Sequence, residues 1–134
     1  MEKSLVIIKP DAVKKKIIGE IIARFEKEDL TIEKLKMARI DRKLACEHYC
    51  EHKDKNFFES LIKYITSDRV VIVVVSGEDA IKKVRSLIGP TDSKKAEKGT
   101  VRGDFGTDIT INVIHGSDSV KSSSREIRLF FGQN

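Results

Sequence analysis

The sequence predicts an α/β chain, an α+β sandwich of ferredoxin-like βαββαβ topology. Its four-stranded antiparallel sheet is expected to be covered by helices on one face. Three observations carry this. Two apolar, largely β-branched runs, 5–8 and 70–75, are bounded by turn residues. Apolar residues recur at helical spacing over 17–29, 56–66 and 78–88, and a last helix is read over 117–128. The patterns alternate as β, α, β, two short α, β, α, loop, β, α.

Residues 5–8 read as a buried strand stopped by a turn at Lys9-Pro10-Asp11. Ile17, Ile18, Ile21, Ile22 and Phe25 share one side of a helix whose other side is charged. Over 30–40, Leu30 and Ile32 alternate in one phase and Leu35 and Met37 in another. That predicts a long strand with an irregularity near Lys34. One helix opens at Asp41 or Arg42 and runs to about 51; a second spans about 56–66 through Phe57, Leu61, Tyr64 and Ile65. The run 70–75 is apolar on both faces, as a central strand is. A helix over 78–88 ends at Gly89-Pro90. Residues 89–110 show little periodicity and hold four glycines and four threonines, so they read as a long loop, usually a functional feature in a compact domain. A short strand over 111–114 runs into His115-Gly116-Ser117. The last helix takes Ser117 or Ser119 as its cap, and 129–131 make a short apolar closure.

The chain has 134 residues, which predicts one domain over 1–134. With 40% hydrophobic and 35% charged residues, it is neither disordered, collagen-like nor a disulfide scaffold. The longest apolar run has six residues, far short of the about 20 that a membrane helix needs. The start, MEKSLVIIKPD, lacks the apolar stretch of a signal peptide. Cys46 and Cys50 are expected to be reduced thiols, and the chain is expected to be cytoplasmic. The net charge is +5, and its placement says more than its size. Residues 82–102 hold seven bases and two acids, so this segment alone carries the excess. A localised positive field implies an anionic partner.

Three strings carry chemistry. In 112–119, NVIHGSDS, His115 follows an apolar strand and precedes a glycine and a helix start. Free backbone N–H groups and the helix dipole favour anions there. A neutral imidazole with one nitrogen held presents the other as a nucleophile. Glu126 lies eleven residues on, about three turns along the same helix. In 99–106, GTVRGDFG, three glycines let the backbone approach a ligand and Arg102 offers a fork for phosphate oxygens. In 7–12, IIKPDA, Lys9 leaves a buried strand into a proline turn and is pinned near the sheet end. Each string alone is weak: a lone histidine is more often structural, and such glycine spacings are common. Cys46, His48, Cys50 and His52 invite a zinc reading, but on one helix the cysteines and histidines face different sides, so one ion cannot collect all four. Lys14-Lys15-Lys16 reads as a solvated turn.

Together the three strings resemble the nucleoside diphosphate kinase family. Tyr49, the Phe57-Phe58 pair, Arg85 and Thr91 fall at that family's spacing, and the match runs from about 5 to 131. The resemblance implies a magnesium-dependent enzyme. Such enzymes pass the γ-phosphate of a nucleoside triphosphate, typically ATP, to a nucleoside diphosphate by a ping-pong route through a phosphohistidine, here on His115, and so maintain triphosphate pools. It implies that Glu126 orients His115, with the Ser117 hydroxyl beside that pair. It implies that Arg85, Thr91 and Arg102 bind phosphates, that Tyr49 closes the phosphoryl site, and that Lys9 and Asn112 hold sugar hydroxyls and nearby phosphate oxygens. Phe57 is similar to the ring that stacks on the base, with Leu61 and Ile109 shaping the same slot. The implied Mg2+ travels with the nucleotide phosphates, and no metal is expected on side chains. The implied assembly is a homo-oligomer, with the hexamer commoner than the tetramer. Neither a membrane nor a specific nucleic acid is an expected partner; strands 5–8 and 70–75 lack the aromatics that RNA-binding versions of this architecture stack on bases. Ala12 stands where the family more usually has glycine, and Ser93 and Lys98 where it usually has proline. The loop is therefore expected to be less stiff, at a cost to oligomer stability.

Overall fold

The computed structural model describes residues 1–132; Gln133 and Asn134, the end of the expected domain, lie outside the described residues. Strands β1 (Glu2–Ile8), β2 (Thr31–Ala38), β3 (Val70–Gly77) and β4 (Ile114–Gly116) form one sheet in the order β2-β3-β1-β4, every pairing antiparallel. Around it lie helices α1 (Pro10–Lys14), α2 (Ile18–Lys27), α3 (Arg42–His48), α4 (Phe58–Ile65), α5 (Ala80–Ile88), α6 (Val101–Phe105) and α7 (Val120–Phe131). Two 3-10 turns, Cys50–His52 and Ser93–Lys95, complete the order. This is the expected βαββαβ plan.

One expectation is corrected: helices cover both faces of the sheet. Val6, Ile8, Val71, Val73 and Val75 point into one core, which Ile21 and Phe25 of α2 and Ala80, Val84 and Ile88 of α5 close. Leu5, Ile7, Val70, Ile72 and Val74 point into a second, closed by Ala45, Ile62, Ile65 and Phe130 from α3, α4 and α7. The period of two in a strand sends alternate residues to opposite faces. A strand apolar at every position therefore needs two covers, and β3 is buried throughout.

The irregularity expected near Lys34 is present. The register of β2 on β3 shifts between Ile32 and Lys34, so Glu33 is the extra residue of a bulge. Its carboxylate accepts from Ser76 Oγ at 2.7 Å. Asp41 caps α3 through Leu44 N at 2.8 Å. Of the two serines considered for the last helix, Ser119 is the cap, accepting from Ser122 N at 3.0 Å.

Four segments differ from expectation. The turn after Lys9 is helical, because Pro10 fixes φ at the first helical position, where a missing N–H costs nothing. The loop 89–110 contains α6, capped by Thr100 Oγ1 on Gly103 N at 3.0 Å. A five-residue helix is too short to show a period. Gly103 lies so close to Glu97 that a Cβ there would fall 1.9 Å from its carbonyl oxygen. Arg24 of α2 pins this segment through Asp104 at 2.8 Å and the Phe105 ring at 5.1 Å, and Lys15 Nζ donates to the Phe105 carbonyl at 2.6 Å. Strand β4 starts at Ile114, not 111. Residues 107–111 are turned back by Thr107 N on the Ile111 carbonyl and by Asp108 Oδ1, which accepts from the N–H groups of Thr110 and Ile111. Val113 then takes a left-handed φ of 65°. The helix expected to stop at 128 continues to Phe131 and buries Phe130.

Candidate active site

The left-handed Val113 is costly for a β-branched residue, and such strain persists only where neighbours enforce it. Val113 N donates to Asp11 Oδ2 at 3.1 Å, and its carbonyl accepts from Lys9 N at 2.8 Å. The kink sets Asn112 beside the end of β1 and His115 in the middle of β4, opposite Ile7. Asn112 is buried. Its amide donates to the carbonyls of Thr91 at 3.0 Å and Ile109 at 3.1 Å, and its Oδ1 accepts from Lys9 Nζ at 2.8 Å.

A cleft of about 370 Å³ opens over these residues. Lys9, Arg85, Thr91, Arg102, Asn112 and His115 line it. Tyr49, Phe57, Leu61 and Ile109 line it as well, and Glu126 reaches it from α7. Eleven of the twelve expected site residues therefore meet in one place. The exception is Ser117, which is fully buried behind the cleft. Its hydroxyl accepts from Leu5 N at 3.0 Å and donates to Glu126 Oε1 at 2.6 Å. The other oxygen, Oε2, lies 3.1 Å from His115 Nε2, an ion-pair distance off the line of a well-directed hydrogen bond. Helix α7 has folded back over β1, which is how a residue three turns on returns to His115. With Nε2 turned to Glu126, Nδ1 is the nitrogen left for the cleft.

The cations are held, not loose. Arg102 is buried, donating from Nη1 to the Gly89 carbonyl at 3.0 Å and from Nη2 to the Ile114 carbonyl at 2.7 Å. Those bonds occupy much of its fork, so it acts more as a fixed positive charge than as a free bidentate donor. Burial and the neighbouring Arg85 lower its pKa to about 10, which leaves it charged at pH 7. Arg85 Nη1 approaches the Gly116 carbonyl at 3.4 Å. Lys9 is 5% exposed. Burial first, then Arg102, pull its pKa from 10.5 to about 7, with Asp11 opposing. Burial, with Glu126 next, pushes the Tyr49 phenol up, so it remains a neutral donor. Phe57 and Ile109 keep much of their surface exposed, as unpaired walls of a slot do.

The structure adds residues that sequence reasoning passed over. His48, His52, Asp118 and Arg125 also line the cleft. In the sequence His48 and His52 carry only the zinc reading on one helix, and Asp118 lies within the 112–119 string without a role of its own. The packing of α3 and its following turn against α7 brings His48, His52 and Arg125 to the cleft. Arg125 ties those helices by donating to the Glu47 carbonyl and, at 3.2 Å, to Cys50 Sγ.

An imidazole whose far nitrogen faces a carboxylate, beside two fixed guanidinium groups and a buried lysine amine, is suited to receiving a phosphoryl group, and on this fold it defines the class as phosphotransferase. Comparison with known proteins specifies the class. Residues 2–134 match the family model described as nucleoside diphosphate kinase. The nucleoside diphosphate kinase of Pyrococcus furiosus is 57% identical over 98% of this chain and 83% of its own length. That of Acetivibrio thermocellus is 54% identical over 98% and 96%. Among solved structures, the Halobacterium salinarum enzyme in complex with CDP superposes with a TM-score of 0.96 at 46% identity, covering 98% of this chain and 88% of that one. The Aquifex aeolicus enzyme gives 0.94 at 45%, covering 97% and 94%. The chain belongs to the nucleoside diphosphate kinase family.

Proposed function

We propose that this cleft carries out the family's phosphoryl transfer in two half-reactions through His115. The single observation that carries the reading is the held imidazole: Nε2 at 3.1 Å from a carboxylate that Ser117 fixes in turn, with Nδ1 left for the cleft. The base of a nucleoside triphosphate stacks on Phe57 between Leu61 and Ile109. Its phosphates are drawn by Lys9, Arg85 and Arg102 and by the Thr91 hydroxyl, and Asn112 and Lys9 meet the sugar hydroxyls. The lone pair of Nδ1 attacks the γ-phosphorus. A nitrogen–phosphorus bond forms as the bond to the β–γ bridging oxygen breaks, and the diphosphate leaves with that electron pair. A second diphosphate enters the same cleft, and its terminal oxygen takes the phosphoryl group back. Tyr49 remains a neutral donor toward the transferring group. Glu126 and Ser117 are positioning residues. Because every base has a face to stack, discrimination among bases is weak.

The donors facing the phosphates are nitrogen cations, not a set of hard oxygen ligands. That fits Mg2+ arriving on the nucleotide, held by the phosphates. When bound, it supplies charge neutralisation for the transferring oxygens.

The assembly belongs to the same proposal. Edge strand β2 exposes Leu35 by 52% and Met37 by 46% on one face, which supports a homo-oligomer, the hexamer being the commoner form in the family and the tetramer the alternative. Cytoplasmic placement is proposed with it, supported by the free thiols of Cys46 and Cys50. Among the described residues, no helix is long and apolar enough to cross a membrane.

Incubation with γ-labelled ATP and Mg2+ tests the route. It should give an acid-labile, base-stable phosphoprotein that discharges onto GDP, and His115→Ala should abolish labelling in a folded protein. Undiminished labelling of His115→Ala removes His115 as the carrier.

A further inference from the structure

His48, at the last position of α3, has no part in the chemistry above. Its side chain is 2% exposed and packed edge-on against Tyr49 at 4.6 Å, His115 at 4.7 Å and Phe130 at 5.3 Å. Neither ring nitrogen has a hydrogen-bond partner. Buried polar groups are rarely left so, and each one calls for an explanation. Burial first, then His115, Lys9, Arg125 and His52, hold its pKa well below the usual imidazole value. It is therefore neutral at pH 7, with a lone pair free.

That lone pair lies beside two other donors. His48 Nδ1 is 3.9 Å from Glu126 Oε2, the same oxygen that lies 3.1 Å from His115 Nε2. One donor atom from each of the three residues falls within 4.8 Å of the others. Ser117 occupies only Oε1, so Oε2 is available. Two imidazole nitrogens and one carboxylate oxygen make a zinc donor set, with water from the cleft as fourth ligand. Bonds of about 2.0–2.1 Å in a tetrahedron put ligand atoms roughly 3.3 Å apart. The His115–Glu126 pair is already near that spacing; His48 Nδ1 has to come roughly half an ångström nearer Glu126 Oε2, and the two imidazole nitrogens, within 4.8 Å of each other, have to close by up to about 1.5 Å. Mg2+ prefers oxygen and does not compete for imidazoles.

We propose that His48, His115 and Glu126 form an inhibitory site for Zn2+ or a similar borderline divalent ion. The consequence rests on His115 being the nucleophile. A neutral imidazole has one free in-plane lone pair. When the metal takes it at Nε2, the ring proton resides on Nδ1, and Nδ1 cannot attack phosphorus. The nearby Arg125 cation, and Lys9 where it is protonated, oppose a dication, so the affinity belongs in the micromolar range and not with structural zinc.

The nucleotide-free full chain is titrated with Zn2+ by calorimetry and with Co2+ by visible absorption. One ion per chain is expected, with the strong visible bands of four-coordinate cobalt and no thiolate charge-transfer band. His48→Phe should weaken binding by at least about tenfold while retaining labelling by γ-labelled ATP. His48→Gln, which keeps a polar side chain, should behave alike if the phenylalanine variant fails to fold. Buffered Zn2+ at constant excess Mg2+ should slow labelling of the unsubstituted protein and not of the variant. Binding unchanged by both substitutions, a thiolate band pointing to Cys46 and Cys50, or no binding at micromolar metal overturns the site. Metal bound through His48 with labelling unslowed overturns the inhibition. Because the titrations use no nucleotide, failure of the metal site is distinguished from failure of His115 as carrier.

Discussion

Lys9 shows how one residue is set by its surroundings. Its ammonium is buried against Asn112 with Arg102 near, and its pKa falls to about 7. The folded pKa is depressed below the unfolded value. Between about 7 and 10.5 the unfolded chain thus holds a proton that the ligand-free fold has released, and stability contributed by this group rises with pH across that window. Below about 7 both states are charged and the burial cost is present in full. Bound phosphates reverse the preference by stabilising the ammonium. Nucleotide binding should therefore take up a proton at pH 8 and much less at pH 6. Calorimetry in two buffers of different ionisation enthalpy reads this directly; equal enthalpies at pH 8 would count against it. Ser117 makes a second case. It completes Leu5 N and Glu126 Oε1 with one hydroxyl. Ser117→Ala leaves two buried groups unpaired and should cost about 1–3 kcal/mol in denaturant unfolding. It should also slow phosphorylation, since Glu126 loses its anchor. A variant as stable and as active as the parent would remove Ser117 from the positioning chain.

At the scale of elements, the segment between α5 and β4 joins the site to the rest of the molecule. Thr91, Arg102 and Asn112 all belong to it or border it. It is held by Arg24, Lys15 and the close approach of Gly103 to Glu97. Ser93 opens its 3-10 turn, a first position that suits proline. Its N–H makes only a long bond, 3.4 Å, to the Asp108 carbonyl, and its buried hydroxyl has no partner. Ser93→Pro removes little from the fold and narrows the unfolded ensemble. A gain of about 0.4–1 kcal/mol is expected, seen as a higher thermal midpoint. A fall in that midpoint would show that the turn depends on the Ser93 N–H. The elements also show what sequence pattern can resolve. The bulge in β2 was legible because a break of phase is visible in residues 30–40. Helices α1 and α6 were not, because five residues carry no period and their starts depend on Pro10 and Thr100.

Across the whole molecule, the sheet has unequal edges. Strand β4 is three residues long, whereas β2 has eight and presents Leu35 and Met37 to solvent. Both extend the apolar face that α2 and α5 cover elsewhere, and Lys34 and Lys36 alternate with them. Long, partly apolar edges recruit partners, and lysine is the usual deterrent. Leu35→Lys with Met37→Lys should shift the protein to smaller species in sedimentation velocity while leaving the monomer fold unchanged by circular dichroism. An assembly of unaltered size would exclude this face as a subunit contact.

The order of elements, the doubly buried central strand, the location of the excess charge and most cleft residues were readable from the chain alone. The elements and the charge leave a local mark, a period or a run, and Lys9, Arg102 and His115 stand in short strings; Tyr49, Phe57, Leu61, Arg85, Thr91 and Ile109 came only from the resemblance that those strings carry. Tertiary structure decided the rest. It put helices on both faces, bent Val113 into a left-handed turn that moved β4 to His115, withdrew Ser117 behind the cleft and set His48 against His115 and Glu126. Those outcomes depend on which groups distant in the chain must satisfy one another's hydrogen bonds and fill one another's volume, and no local spacing records that.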